Sequence, residues 1–429
     1  MSATSEADLR EAAGRSLLTP VAVAASCVAF VVIGALQALY GPAIPALREE
    51  YGIGPGAAGL GLSAHFAGAL LGVLGYHLLR GRLDNRALLG GSAVLMAAGT
   101  AAFAFSPNWA LALTGAFVIG LGFGGIDYGL NRLFAVGFGH RSTAMLNLLN
   151  GHFGVGAIAG PALIGRLGAD GYPAVFLGLG AVGLLILPAL GGVAPREPEP
   201  PAAEGVAAGG ARVGPVIAAF TGVYVLHVAI ETGVGGWEPT HLEAVGYGAV
   251  GAATATSAYW AAMTVGRFLV VPIGLRCSAP SILVVCCAGM AGFLLLATVP
   301  ALAPYAYVGV GLAIAPVFPT CLPWLNRAVP GVAAAGAYVI AASMIGGVAF
   351  PPLLGAVIGA MEVEAVPLVL FGLAVACAAL SLWLRTNAPA THGTQRPQPP
   401  APLQPPQPPQ PPQGAQGMRG APRRWDPER

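Results

Sequence analysis

Apolar runs of membrane length alternate with short polar turns along most of the 429-residue chain. A helix that crosses a bilayer needs about 20 apolar residues, and by that measure the pattern predicts twelve. Six lie in the first part: Leu17–Tyr40, Ala57–Leu79, Ala87–Ser106, Ala110–Val136, Ala144–Gly165 and Tyr172–Val193. Six follow: Gly214–Gly236, Gly248–Ile273, Ser281–Val299, Ala303–Leu325, Val332–Gly359 and Ala365–Leu384. Between the sets runs APREPEPPAAEGVAAGGAR, Ala194–Arg212, which is too polar to bury a core and reads as a linker. From Asn387 onward the sequence turns to Pro/Gln repeats, the composition of a disordered polyproline II tail. The expected organisation is a six-helix bundle over 1–193, a linker over 194–213, a second bundle over 214–386 and a tail over 387–429.

The two halves resemble each other. GLGFGGIDYGLN from Gly120 matches GVGLAIAPVFPT from Gly309, which sets Asp127 against Pro316 and Asn131 against Thr320. Further on, Gly156, Pro161 and Gly165 fall on Gly346, Pro351 and Gly355. Both halves start from the same side, so the repeats are parallel, related by an axis along the membrane normal. The predicted fold class is therefore an all-α polytopic membrane protein with twelve transmembrane helices in two parallel six-helix bundles.

Charge adds orientation. Arg10, Arg15, Arg80, Arg82, Arg86, Arg141, Arg196, Arg212, Arg276, Arg327 and Arg385 lie on one side, against Arg48 and Arg166 on the other. Positive charge concentrates on the cytoplasmic side, so both termini and the linker are expected there, in a cell-membrane protein. The polar N-terminal segment is followed by no small-residue cleavage site at signal-peptide length, so the first run is expected to be a retained helix. Only 9% of residues are charged, and the net charge of +2 gives no reason to expect nucleic acid as a partner. All twenty basic residues are Arg, which reads as genomic composition bias. The six cysteines show neither CxxC pairing nor metal spacing, and are expected to pack as small hydrophobes. No metal site, cofactor or enzymatic triad is expected.

A few polar residues stand inside apolar runs. A bare carboxylate in hydrocarbon is costly, so Asp127 marks a cavity, a partner or a proton site. Asn131 shares its face at i+4, either to hold a solute hydroxyl or to orient the acid. Arg132 is expected to snorkel to the near boundary, and a short basic turn is read at His140–Arg141. Glu231 is the second deep acid, with His227 one turn below it; such a pair can relay a proton or bind hydroxyls. Gly235-Gly236 let that helix end or bend, and Trp237 is either a ring that stacks on a sugar or an interfacial belt residue. Glu238, His241 and Glu243 then fall in an exterior loop. His152 serves either a helix–helix hydrogen bond or a solute. Pro316, Pro319 and Pro323 imply kinks and freed carbonyls in the tenth helix.

With its six-plus-six repeat, the chain resembles the major facilitator superfamily, and within it the fucose permease-like sugar transporters. Four segments carry the likeness: the Gly-rich run with Asp127 and Asn131, NLLNGHFGVGAIAGP with Asn150, ETGVGGWEPTHL, and GGVAFPPLLG. Two places differ from the family pattern. The loop between the second and third helices is degenerate, and the first helix has no acid between Gln37 and Pro45. The resemblance implies a secondary transporter working by alternating access, moving a small polar solute, a sugar, by proton symport. Asp127 and Glu231 are then the proton-coupling groups, and Gln37, Asn131, Asn150, His152, His227, Trp237 and Thr320 the solute-binding ones. The implied partners are a small-molecule solute, a coupling ion (a proton, with sodium as the alternative) and the lipid bilayer, for a chain that is complete as a monomer. The rival reading is a proton-antiport exporter of drugs or metabolites.

Overall fold

The computed structural model describes residues 17–138, 141–196, 213–274, 276–329 and 335–388. The N-terminal segment, His140 of the basic turn, most of the linker and the Pro/Gln tail lie outside the described residues. So do the orienting charges Arg10, Arg15 and Arg212.

Twelve helical spans follow one another: α1 Pro20–Tyr51, α2 Pro55–Leu79, α3 Asn85–Ala104, α4 Trp109–Gly137, α5 Ser142–Leu167 and α6 Tyr172–Gly183, the last continued as a 3-10 helix over Leu184–Gly192. Then come α7 Val213–Ala244, α8 Gly248–Gly274, α9 Ala279–Leu296, α10 in two pieces (Ala303–Ile314 and Val317–Ala328), α11 Ala335–Met361 and α12 Val366–Asn387. Among the described residues eleven spans are long and apolar enough to cross a membrane. The exception is α8, 27 residues long, whose polar content includes Thr254, Thr256, Thr264 and Arg267. The ends carry ordinary stop and start chemistry. Thr19, Asp84 and Asn108 cap α1, α3 and α4 through side-chain oxygens. Gly52, at φ 60, closes α1 in a left-handed turn that favours glycine.

Two boundaries differ from the sequence expectation. The first helix continues past Tyr40 through Pro42 and Pro45 to Tyr51. The seventh continues past Gly236 and through Pro239 to Ala244. Proline and paired glycine read as breakers in sequence, but packing on both sides holds these helices intact, as it often does for membrane helices. Glu238 and His241 are therefore helical and buried, at 0% and 2% exposure, and the exterior-loop reading of them is corrected.

The pairings repeat with a step of six helices. α1 packs on α5 as α7 packs on α11; α2 on α4 as α8 on α10; α3 on α4 and α6 as α9 on α10 and α12. One contact shows how literal the repeat is. Gly156 of α5 rests on the Val31 carbonyl and Ala35 nitrogen of α1, and Gly346 of α11 rests on the Val225 carbonyl and Ala229 nitrogen of α7. Three further pairings, α2 with α11, α5 with α8 and α1 with α7, join the two sets. The repeat axis exchanges the first two and maps the third onto itself. In the second set, Cys287 of α9 and Cys377 of α12 are buried with sulfurs 3.5 Å apart, consistent with packing roles. The start of α3 holds the chain that follows α6: Arg86 Nε donates to the Val193 carbonyl at 2.7 Å, and Asn85 Nδ2 to the Ala194 carbonyl at 3.1 Å.

The named contacts between the two sets concentrate toward the face where Arg48 and Arg166 lie. A Cβ on Gly41 would strike the Gly235 carbonyl, and one on Gly59 the Pro351 carbonyl; Gly165 meets Ala253. Ser63 Oγ donates to the Val348 carbonyl at 2.6 Å. Trp237 is fully buried, and its Nε1 donates to the Pro351 carbonyl at 3.1 Å. The molecule is thus closed at its arginine-poor end.

Gly41 and Gly68 make equally close approaches, but Gly41 sits on the seam between the sets and Gly68 inside the first set, against Phe117 of α4. Gly68→Val is expected to cost about 1–3 kcal/mol of fold stability through overpacking, lowering the melting temperature in detergent. Gly41→Val is expected to spare the fold and open the seam instead. That is checked by maleimide labelling of Ala253→Cys, which should rise above the background of native thiols.

Candidate functional site

Along the middle of the bundle, polar side chains from α1, α4, α5, α7, α8 and α10 interrupt an apolar interior. On the first-set side the groups form a ladder. Asn150 Nδ2 donates to Asn131 Oδ1 at 3.0 Å, and Asn131 Nδ2 donates to Asp127 Oδ1 at 2.9 Å. The second proton of the Asn150 amide goes to the Leu146 carbonyl at 2.9 Å. Three residues separated by up to 23 positions are thereby fixed in one line from α5 to α4. The i, i+4 spacing of Asp127 and Asn131 puts both on one face, and α5 brings Asn150 against it. All three are half-buried, so the ladder is ordered yet reachable. One oxygen of Asp127 and the carbonyl oxygen of Asn150 are left to accept from a solute.

On the second-set side, His227 Nε2 lies 3.5 Å from Glu231 Oε2, again across one helical turn. His227 is 4% and Glu231 14% exposed at the side chain. The Phe318 ring of α10 lies 6.3 Å from the imidazole, and its carbonyl accepts from the Tyr224 hydroxyl at 3.1 Å. Arg267 of α8 lies within Coulombic reach of both Glu231 and His227. An acid, an imidazole and a guanidinium at one depth can bind hydroxyls and redistribute a proton.

The other expected residues are placed unevenly. Gln37 is half-buried on α1, one turn before Gly41 and on the same side of the helix, toward α7. Thr320 is half-buried in the second piece of α10. His152 follows Asn150 by two residues, about 200° around the helix, and its Nδ1 meets the Leu148 carbonyl of its own helix at 2.8 Å. The structure does not bring it to the ladder. Trp237 is buried between α7 and α11, with its Nε1 donating to the Pro351 carbonyl. His65 sits in an aromatic cage of Tyr40, Phe66 and Phe123.

Sequence reasoning missed a second polar cluster where α7, α8 and α10 meet: Glu238, His241, Tyr259 and Tyr307. The residues after Pro239 are mostly polar, Thr240, His241 and Glu243, so the apolar pattern gave no signal that α7 continues there.

The family model of the Major Facilitator Superfamily matches residues 26–250. No curated protein sequence matches the chain. Three solved structures give the range of structural likeness. A D-xylose-proton symporter superposes with TM-score 0.72 at 15% identity, over 87% of this chain and 98% of that one. The inward open xylose transporter XylE from E. coli gives 0.68 at 13%, over 87% and 97%. FucP in its outward conformation gives 0.57 at 19%, over 86% and 99%.

The ladder predicts a measurable coupling. Asn131→Ala and Asn150→Ala, alone and together, are expected to show a coupling of about 0.6 kcal/mol, the usual size of a hydrogen bond between membrane helices. Denaturation in detergent reads it; strictly additive losses would mean that the two amides are not bonded.

Proposed function

The chain belongs to the Major Facilitator Superfamily, and from that premise we propose that it is a secondary active transporter of a neutral, hydroxyl-rich solute of sugar size, driven by proton symport. The solute exchanges sides by alternating access between two six-helix bundles, 1–193 and 214–386. The observation that carries this reading is the Asn150–Asn131–Asp127 ladder. Amides offer donors and acceptors in the geometry that sugar hydroxyls use, and the ladder ends on a carboxylate that can take a proton. Asp127 and Glu231 serve as coupling groups in this scheme, and Gln37, Asn131, Asn150, His227 and Thr320 as solute contacts.

The arginine count favours a cell-membrane protein with both termini and the linker in the cytoplasm. With that orientation the closed end is exterior, and the structure represents the inward-facing side of the cycle. The fold is complete in one chain, which suits a monomer.

The mechanism follows from the ladder. With Asp127 protonated, the site is neutral and its O–H can donate to a solute hydroxyl. After the site turns to the cytoplasm the proton leaves, and the carboxylate draws the Asn131 amide to itself and away from the solute. Release of proton and solute are thereby coupled through one hydrogen bond.

The test is uptake of a labelled monosaccharide panel into proteoliposomes under an inward proton gradient. Wild type is expected to concentrate one sugar. Asp127→Asn is expected to exchange that sugar at near-normal rates without concentrating it, and Asn150→Ala to weaken its binding. If no sugar moves under either a proton or a sodium gradient, the sugar reading fails. Solute-driven proton efflux in inverted vesicles would then favour export.

A further inference from the structure

Outside the central site, the most unusual group among the described residues is Glu238. It is 0% exposed, and neither of its carboxyl oxygens has a hydrogen-bond partner. The Thr256 hydroxyl beside it donates to its own Ala252 carbonyl at 3.1 Å. Tyr259, also 0% exposed, has its hydroxyl unpartnered, as has Thr240. An ionised carboxylate buried this way has lost its water and has at most the Thr256 hydroxyl beside it as a donor, which is a severe penalty. The protonated acid is neutral and avoids it.

A route to the surface adjoins this acid. Tyr307 of α10 lies within Coulombic reach of Glu238, and its hydroxyl is 3.1 Å from His241 Nδ1. His241 in turn is within Coulombic reach of Glu364, an exposed acid in the turn between α11 and α12, on the arginine-poor face. The titratable groups facing Glu238 can be named element by element. α7 supplies His241, with Glu231 two turns below. α8 supplies Tyr259, on which Arg267 and Glu231 also act, and α10 supplies Tyr307.

We propose that Glu238 is a second proton-carrying site, separate from Asp127 and loaded from the arginine-poor face through Glu364, His241 and Tyr307. In the loading step, protonated Glu364 gives its proton to His241 Nε2 and takes another from hydronium at that face. His241 Nδ1 passes its proton to the Tyr307 oxygen as the Tyr307 hydroxyl, which has no hydrogen bond to Glu238 in the closed state, turns to the carboxylate and gives it its proton. Proton number and charge balance, because each group accepts one proton and gives one. A relay through an imidazole and a phenol conducts protons and cannot conduct sodium, which assigns the ligand. The seam explains the timing. Trp237, the neighbouring residue, is bonded to α11, so parting α7 from α11 shifts Glu238 from its dry setting and lets it ionise.

This inference extends the ion-coupled reading but is tested without a substrate. Infrared difference spectra of the full-length protein in liposomes report the carbonyl stretch of protonated carboxyl groups. Wild type is expected to show a buried carboxylic acid band that is absent in Glu238→Gln and kept in Asp127→Asn. Exchange of that band on transfer to D2O is expected to slow about a hundredfold in Tyr307→Phe and His241→Ala, the low end of what a positioned proton-transfer group contributes. Both relay variants keep Glu238, so they test the route even if Glu238→Gln does not fold. Identical spectra for wild type and Glu238→Gln would overturn the site. Unchanged exchange in both relay variants would overturn the route. A band that disappears on adding sodium at constant pH would reassign the site to a cation. If these spectra behave as expected and no monosaccharide is taken up, the solute assignment fails and the proton site stands.

Discussion

A backbone carbonyl inside a membrane must find a donor, and the closed end of this molecule is built from carbonyls that proline has released. Proline has no N–H, so the carbonyl four residues before it loses its helical partner. Pro239 frees the Gly235 carbonyl, the one that lies against Gly41 of α1. Pro352 frees the Val348 carbonyl, which accepts from Ser63 of α2. Glycines opposite these points, Gly41 and Gly59, allow the backbones to meet. The seam between the two sets therefore includes polar backbone contacts beside apolar ones such as Gly347 on Phe66 and Gly236 on Leu62.

Within each set the packing is of a different kind. Gly68, Gly120 and Gly124 bring α2 and α4 into close contact, and Phe30, Phe103, Phe134 and Phe176 are fully buried. Close-packed interiors of this sort do not deform continuously; they move as blocks. The polar groups are divided along the same line. The first set contributes a ladder of amides ending on Asp127, while the second contributes Glu231, His227 and Arg267 at depth, with Glu238 and His241 nearer the arginine-poor face. The expected internal repeat is thus literal in helix pairing and broken in chemistry. Asp127 matches Pro316, and at that point α4 is continuous where α10 is interrupted.

Much of this was legible in the chain alone. Apolar run lengths determined the number of spans, because hydrocarbon thickness imposes a length on any helix that crosses it. The spacing of glycines and prolines disclosed the repeat, and the i, i+4 spacing paired Asp127 with Asn131 and His227 with Glu231, because helical geometry is local. Three things were decided only by tertiary structure. Asn150 joined the ladder while His152 turned away, since the neighbour of α5 at each angle depends on how α1, α4 and α8 surround it. Trp237 became a buried contact because α11 supplies the Pro351 carbonyl. Glu238 and His241 became interior because packing on α8 and α10 carries α7 through Pro239. A sequence specifies which faces a helix has; which face meets another helix, a cavity or lipid is fixed only when distant segments pack against it.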